Sequence, residues 1–346
     1  MKAYVYIEPY KFVEEERGIP QPGVNQVRVQ VRAASICGSD LHGFKGQSAM
    51  RVAPLVMGHE FAGIVDAVGE GVNEELVGTR VSANPAIPCG ECSNCKEGRF
   101  NVCENRLSIG TTMKAGPWDG AFAEYCLVPA KNLVRMADDV SFEEAALFEP
   151  AAVSLRAAKM MGDIKGQTVA VFGAGPIGLL AMQAARILGA ARVIAIDRGK
   201  PRLELAVNEN MADRALNSTE VDIVEEVMKL TDGEGAYASL DAVGCAASLN
   251  TCIKMTRNAG TVSLVGMAAE TMDGYSYKEC VAREMNLKGS YTYINEISEA
   301  AQYRAEGKYN LGALITSVVP MSQIQEKMTE LASGQSSDVK VVLVNR

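Results

Sequence analysis

Short apolar runs broken by glycine and proline fill the first 150 positions. Residues 26–33, 61–68 and 80–83 carry the two-residue period of strands, and 1–12 alternates in the same way, with Glu8 and Lys11 among its polar positions. After Ala151 the rhythm lengthens. Residues 168–172 form an apolar run and a glycine-rich turn follows; an apolar stretch of helical length then reaches Leu188, Gly189 ends it, and 192–196 is a second apolar run. Strand, turn, helix and strand in that order make a βαβ unit whose helix is closed by glycine. The alternation continues with a helix at 222–230, a strand at 236–242, a helix at 246–255 and a strand at 261–266, which predicts a parallel sheet. Another strand follows at 286–293, then a helix at 322–332 and a terminal strand at 340–344.

The pattern therefore predicts an α/β chain in two domains: a β-rich one over 1–150, completed by 291–346, and a doubly wound parallel-sheet one over 151–290. A length of 346 residues is too great for one compact core, which agrees with that division. The chain shows no internal repeat and no low-complexity segment. Hydrophobic residues make up 48% and charged residues 22%, the balance of a folded globular protein. A formal charge of −8 leaves no basic surplus to displace counterions from phosphates, so neither nucleic acid nor an anionic membrane is expected as partner. The start of the chain lacks a signal-peptide apolar core, and runs such as 177–185 fall short of the ~20 residues a membrane helix needs. A cytoplasmic protein acting on a small molecule is expected. In that setting thiols stay reduced, and the sequon Asn217-Ser218-Thr219 is a chance match.

Gly173-Ala174-Gly175-Pro176-Ile177-Gly178 sets three glycines at G-x-G-x-x-G spacing after a buried strand and at the opening of a helix. The first permits a tight turn, the second lets a pyrophosphate approach backbone, and the third allows close helix packing. The helix N-terminus meanwhile offers free N–H groups to the anion. Gly175 is thus expected to resist any side chain. Asp197 ends the second strand, roughly 20 residues further on, where a carboxylate accepts hydrogen bonds from ribose hydroxyls and repels a 2′-phosphate. Arg198 beside it would suit NADP, but the carboxylate decides for NAD. Val265, at the end of the strand predicted over 261–266, joins the candidate cofactor residues.

Nine cysteines without an export signal read first as metal ligands. Cys89, Cys92, Cys95 and Cys103 lie in one polar, glycine-containing loop and fit a tetrahedral zinc with a closed shell of four thiolates. Iron–sulfur is disfavoured by the long last gap and by the lack of a proline after Cys103. The only two histidines, His42 and His59, lie near Cys37 in sequence. Cys37-Gly38-Ser39-Asp40-Leu41-His42 and Gly58-His59-Glu60 supply a thiolate, imidazole and carboxylate, the ligand types of a catalytic zinc that keeps one position open. Cys126, Cys245, Cys252 and Cys280 follow no spacing and are expected to be buried small hydrophobes.

These segments, together with Gly58-His-Glu-Phe-Ala-Gly63, Asp119-Gly-Ala-Phe-Ala-Glu-Tyr125 and Glu149-Pro150, stand in the order found in medium-chain zinc-dependent dehydrogenases, which the chain resembles over nearly its whole length. The resemblance implies a GroES-like catalytic domain and a Rossmann cofactor domain, one catalytic and one structural zinc, and NAD. It also implies a homodimer or homotetramer. Glu149-Pro150 is similar to the branch that contains sorbitol, sugar-alcohol-phosphate and butanediol dehydrogenases; ordinary alcohol dehydrogenases carry a cysteine there. By that similarity Cys37, His59 and Glu149 hold the catalytic zinc, Glu60 is an alternate ligand or a partner of the ligands, and Ser39 and His42 form a proton relay. The implied reaction oxidises a secondary hydroxyl of a polyol or sugar alcohol, phosphorylated or not, to a ketone. The alternatives are a vicinal-diol dehydrogenase and, in another class, a catalytically silent NAD-binding protein on the same fold. Sorbitol dehydrogenases often carry an arginine in the strand matching Tyr291-Thr292-Tyr293, where this chain has Thr292, which argues against a literal sorbitol assignment. Trp118 and Phe44 are candidate pocket walls, and Lys45 and Arg51 are either receptors for a substrate phosphate or solvated surface charges.

Overall fold

A computed structural model describes residues 1–345. The chain forms two compact units, one of Met1–Glu149, Ile297–Gly307 and the stretch from Leu311 onward, the other of Pro150–Glu296 and Lys308–Asn310. The return to the first unit falls at Ile297 rather than 291. Glu296 accepts hydrogen bonds from the amides of Ile294 and Asn295 and pairs with Arg156 and Lys159, so 291–296 stays bound to the second unit.

In the first unit the alternating stretch at the N-terminus is an antiparallel hairpin of Lys2–Glu8 and Lys11–Glu16, turned at Tyr10 with φ of 65°. The single strand expected over residues 1–12 is thus broken by a turn at Pro9-Tyr10. A larger sheet runs in the order Leu133–Arg135, Arg80–Ala83, Glu60–Val68, Gln26–Ser35, Lys340–Val344, Ile315–Pro320, with Tyr125–Pro129 also pairing Gln26–Ser35. The register of its middle strands fixes the chemistry. Ser35 lies opposite Glu60 on one side and Val342 on the other, so the exit of one strand, the entry of the second and the start of the third meet at one end of the sheet.

The second unit is a six-stranded parallel sheet in the order Arg214–Asn217, Arg192–Asp197, Thr168–Phe172, Ala236–Asp241, Thr256–Leu264, Asn286–Gly289. Strand order reverses between the strand of this unit that comes first in the chain, Thr168–Phe172, and Ala236–Asp241, which makes the carboxyl edge beside Phe172 the place where a doubly wound sheet takes its ligand. The strand expected over 261–266 begins earlier, at Thr256, directly from the preceding helix. The strand expected over 286–293 stops at Gly289, and Thr292 turns the chain with φ of 46°. Lys200–Asn208, Phe148–Met160 and Glu296–Ala305 are helices, and Arg214–Asn217 and Ile315–Pro320 strands, that the hydrophobic pattern did not reveal. Among the described residues no helix is long and apolar enough to cross a membrane.

Candidate active site and metal centres

Cys37 sits two residues beyond the end of strand Gln26–Ser35 and immediately before the short helix Gly38–Phe44. His59 immediately precedes, and Glu60 opens, the strand Glu60–Val68. One ligand atom each from Cys37, His59 and Glu60 lies within 4.8 Å of the others, a spacing one metal ion can bridge. Glu149 is outside that set. It is buried in the first turn of helix Phe148–Met160, close enough that its charge acts on Lys340 along with those of Glu60 and Cys37. The structure therefore brings three of the four expected ligand candidates together and makes Glu60 the nearer carboxylate.

What surrounds these groups was largely invisible to motif reading. Lys340 starts the terminal strand opposite Cys37; its ammonium donates to the Ile36 carbonyl (3.0 Å) and pairs with the buried Glu60 carboxylate, which also accepts from Ser35. Burial alone would lower the Lys340 pKa, but Glu60, Cys37 and Glu149 outweigh it and raise it. Asp40, fully buried, accepts from Arg51 (3.0 Å) and faces Nδ1 of His59 at 3.3 Å. Burial would raise the carboxyl of Asp40; the charges of His59 and Arg51 overcome that and hold it well below the usual range. For His59 burial favours the neutral ring, while Asp40 and Cys37 raise its pKa well above the ordinary value. The same two side chains would suit a divalent cation. With Asp40 on Nδ1, Nε2 is the nitrogen left for a metal.

Ser39 and His42 are three positions apart on helix Gly38–Phe44, hence on one face, with Ser39 half-buried and His42 exposed. Two expectations are corrected here. Phe44 is wholly buried, stacked on Phe12 at 5.5 Å, because it ends a helix instead of lying in a loop. Arg51 is neither a solvated charge nor open to a substrate phosphate: its side chain is 2% exposed and paired with Asp40. Trp118 is half-buried and donates its indole N–H to the Leu127 carbonyl at 3.0 Å.

The second cluster is thiol only. Cys89, Cys92, Cys95 and Cys103 place their sulfurs within 4.8 Å of one another, with separations of 4.0 Å for Cys89–Cys95, 3.9 Å for Cys92–Cys103 and 3.4 Å for Cys89–Cys103. A tetrahedron with metal–sulfur bonds of about 2.3 Å has edges of roughly 3.8 Å, so the four thiols fit a closed zinc shell. Backbone amides at Glu104 and Cys95 lower the Cys92 thiol to about 6, while burial raises that of Cys95. Of the other cysteines, Cys126, Cys252 and Cys280 are buried as expected, while Cys245 is only half-buried.

In the second unit the glycine turn Gly173–Gly178 joins strand Thr168–Phe172 to helix Pro176–Ile187, with Pro176 in the first helical turn. Gly173 has φ of +102°, and a Cβ on Gly178 would meet the Gly173 carbonyl oxygen at 1.7 Å, so both must be glycine. Gly175 differs. Its φ is −73° and a Cβ would meet nothing within 4 Å. The chain itself leaves that space open, as a cradle for a pyrophosphate requires. We therefore expect Gly175→Val to leave the thermal midpoint unchanged while weakening NADH binding at least ~30-fold, measured by fluorescence titration. Ile177 is half-buried on the same helix. Asp197 accepts from the amides of Ala174 (2.6 Å) and Gly199 (2.7 Å), which ties it to the glycine turn and leaves carboxylate lone pairs for ribose hydroxyls. Arg198 is exposed. Val265 follows strand Thr256–Leu264 at the same carboxyl edge, its amide donating to the Asp241 carbonyl at 3.0 Å.

Comparison with known proteins places the chain in a family. Residues 23–138 match the family model described as alcohol dehydrogenase GroES-like domain, and residues 176–306 the one described as zinc-binding dehydrogenase. The chain is 35% identical to the probable D-xylulose reductase A of Aspergillus terreus (strain NIH 2624 / FGSC A1156), covering 93% of this chain and 92% of that one. It is 32% identical to the sorbitol dehydrogenase of Bacillus subtilis (strain 168), covering 99% and 97%. Among solved structures, an alcohol dehydrogenase from Escherichia coli CFT073 complexed with NADH superposes with a TM-score of 0.91 at 30% identity, covering 100% of this chain and 99% of that chain. The chain thus belongs to the medium-chain zinc-dependent alcohol and polyol dehydrogenase family. It is an oxidoreductase built from a GroES-like domain and a Rossmann-like parallel sheet, with zinc and a nicotinamide dinucleotide as cofactors.

Proposed function

We propose that this enzyme oxidises a secondary hydroxyl of an unphosphorylated polyol or sugar alcohol to a ketone, with NAD as acceptor. The observation that carries the reading is the convergence of Cys37, His59 and Glu60 within 4.8 Å of one another, with Glu149 buried nearby. Cys37, His59 and Glu60 hold the catalytic zinc and Glu149 completes its surroundings, while Cys89, Cys92, Cys95 and Cys103 hold the structural one. When bound, zinc makes a substrate hydroxyl more acidic and NAD accepts hydride. Ser39 accepts the hydroxyl proton, and His42, exposed on the same helix face, passes it to solvent. Gly173, Gly175, Pro176, Ile177, Gly178 and Val265 form the dinucleotide seat. Asp197 selects NAD over NADP despite the adjacent Arg198.

With Arg51 already paired to Asp40, one of the two cations available for a substrate phosphate is occupied, which favours an unphosphorylated substrate. Exposed Met267, Tyr277 and Val281, close in sequence to edge strand Asn286–Gly289, support a homodimer or homotetramer. Nine cysteines without a disulfide support a cytoplasmic setting. NAD reduction measured with sorbitol, a hexitol phosphate and 2,3-butanediol tests the substrate class. Turnover of an unphosphorylated polyol is expected, with sorbitol not singled out because Thr292 stands where sorbitol dehydrogenases often carry an arginine. Preference for butanediol would establish the vicinal-diol reading, and NADH binding without turnover of any polyol or diol would establish a silent protein.

A further inference from the structure

Arg51 is a buried cation that the assignment above leaves without a task in catalysis. It precedes strand Leu55–Val56, and its stem lies against helix Gly38–Phe44 so closely that a Cβ on Gly43 would meet Arg51 Cγ at 2.4 Å. One nitrogen, Nη2, donates to Asp40 Oδ1 at 3.0 Å and to Ser39 Oγ at 3.1 Å, and stands 3.4 Å from His59 Nδ1. Nε approaches the same Asp40 oxygen at 3.3 Å. With Nδ1–H of His59 committed to Asp40, the Arg51 and His59 donors share one carboxylate oxygen, and only Ser39 takes a second bond from Nη2.

We infer that Arg51 is a positioning residue that sets the direction of proton transfer through Ser39, and this rests on the reading of Ser39 as proton acceptor. A guanidinium can only donate, so the lone pair it occupies on Ser39 Oγ is closed to proton arrival from that side. The remaining lone pair faces the incoming hydroxyl proton, and the serine's own hydrogen must point to a different acceptor. When substrate O–H gives its proton to Ser39 Oγ, the serine O–H bond breaks in turn and that proton leaves toward His42, which passes it to solvent. Oγ ends neutral, and Arg51 neither gains nor loses a proton. The same guanidinium fixes Asp40, which orients His59, so one side chain aligns the relay oxygen with the metal-binding imidazole.

Lysine separates the two tasks. Its ammonium lies one atom nearer the backbone than Nη2, so Arg51→Lys keeps the ion pair to Asp40 and gives up Ser39. The test compares wild type, Arg51→Lys, Ser39→Ala and the double variant as zinc-loaded enzymes, reading kcat, KM, the solvent deuterium isotope effect on kcat and zinc content. We expect Arg51→Lys to keep its zinc and KM, lower kcat about tenfold and raise the isotope effect; in the Ser39→Ala background it should cost less than twofold. A Lys variant with wild-type kcat and isotope effect overturns the inference, as does one whose kcat loss is fully additive with Ser39→Ala or follows zinc loss. If Ser39→Ala itself keeps wild-type kcat, the relay reading fails, and the inference with it. If the Lys variant does not fold, neutron diffraction from the deuterated wild-type enzyme reads the same geometry: a deuterium on Arg51 Nη2 directed at Ser39 Oγ is expected, and none there overturns the inference.

Discussion

Replacing Cys37 by serine will leave the chain folded and lower turnover at least ~1000-fold, with the zinc content falling from about two ions per chain to about one. The expected size follows from what the thiolate supplies. A serine hydroxyl is not ionised at neutral pH, so the site loses its soft anionic donor. The Glu60 carboxylate, already held by Lys340 and Ser35, then has less reason to turn to a metal. A loss of about 4 kcal/mol of electrostatic stabilisation in the transition state corresponds to three orders of magnitude. Because Cys37 lies at a strand exit and is only half-buried, the core hardly feels the change. Metal analysis and steady-state NADH formation on one sample check both halves. A variant that keeps both zincs and more than a tenth of its turnover would remove Cys37 from the metal shell.

Cys92→Ser is expected to do the reverse: one zinc lost, a thermal midpoint lower by about 10 °C, and turnover at 20–25 °C largely kept. The loop from Cys89 to Cys103 has little apolar material of its own to hold it. Phe100 and Val102 are 39% and 41% exposed, and the buried groups are Asn101 and the thiols of Cys95 and Cys103 themselves. Removing the cross-link that closes such a loop costs about 3 kcal/mol, comparable to a disulfide. Differential scanning calorimetry with and without a zinc chelator measures it. A chelator effect that survives unchanged in Cys92→Ser would show that the loop is not braced by metal.

The two variants differ because the clusters are written in the chain in different ways. Four thiols in one loop are legible from spacing alone, since nothing but local chain folding is needed to gather them. Cys37 and His59 could be paired only through their company with Ser39, His42 and Glu60 in motifs. The choice between Glu60 and Glu149 depended on strand register, which sequence does not display. Register also hid Lys340, whose charge at the head of the apolar run 340–344 was the available signal: a lysine entering a fully buried strand needs a buried anion. Asp40 stands between Ser39 and His42 on a short helix, and nothing in the sequence marks that polar position as buried. Arg51 looked like a surface charge because its partner is eleven positions earlier, across a helix end.

The fold was legible where one period dominated. The parallel strands and the helices Pro176–Ile187 and Ala246–Met255 announce themselves by continuous or amphipathic runs. Lys200–Asn208 and Arg214–Asn217 do not, being short and mostly exposed. The glycine spacing predicts that Gly175 resists any side chain; the chain itself places nothing within 4 Å of a Cβ there and its φ is −73°, so only a bound ligand would exclude one.

Zinc-edge anomalous diffraction from crystals of the zinc-loaded enzyme tests the central claim most directly. Two peaks are expected: one enclosed by the sulfurs of Cys89, Cys92, Cys95 and Cys103, the other about 2.3 Å from Cys37 Sγ and about 2.0–2.2 Å from His59 Nε2 and a carboxylate oxygen of Glu60. A single peak in the thiol loop, with no metal between Cys37 and His59, would contradict the account.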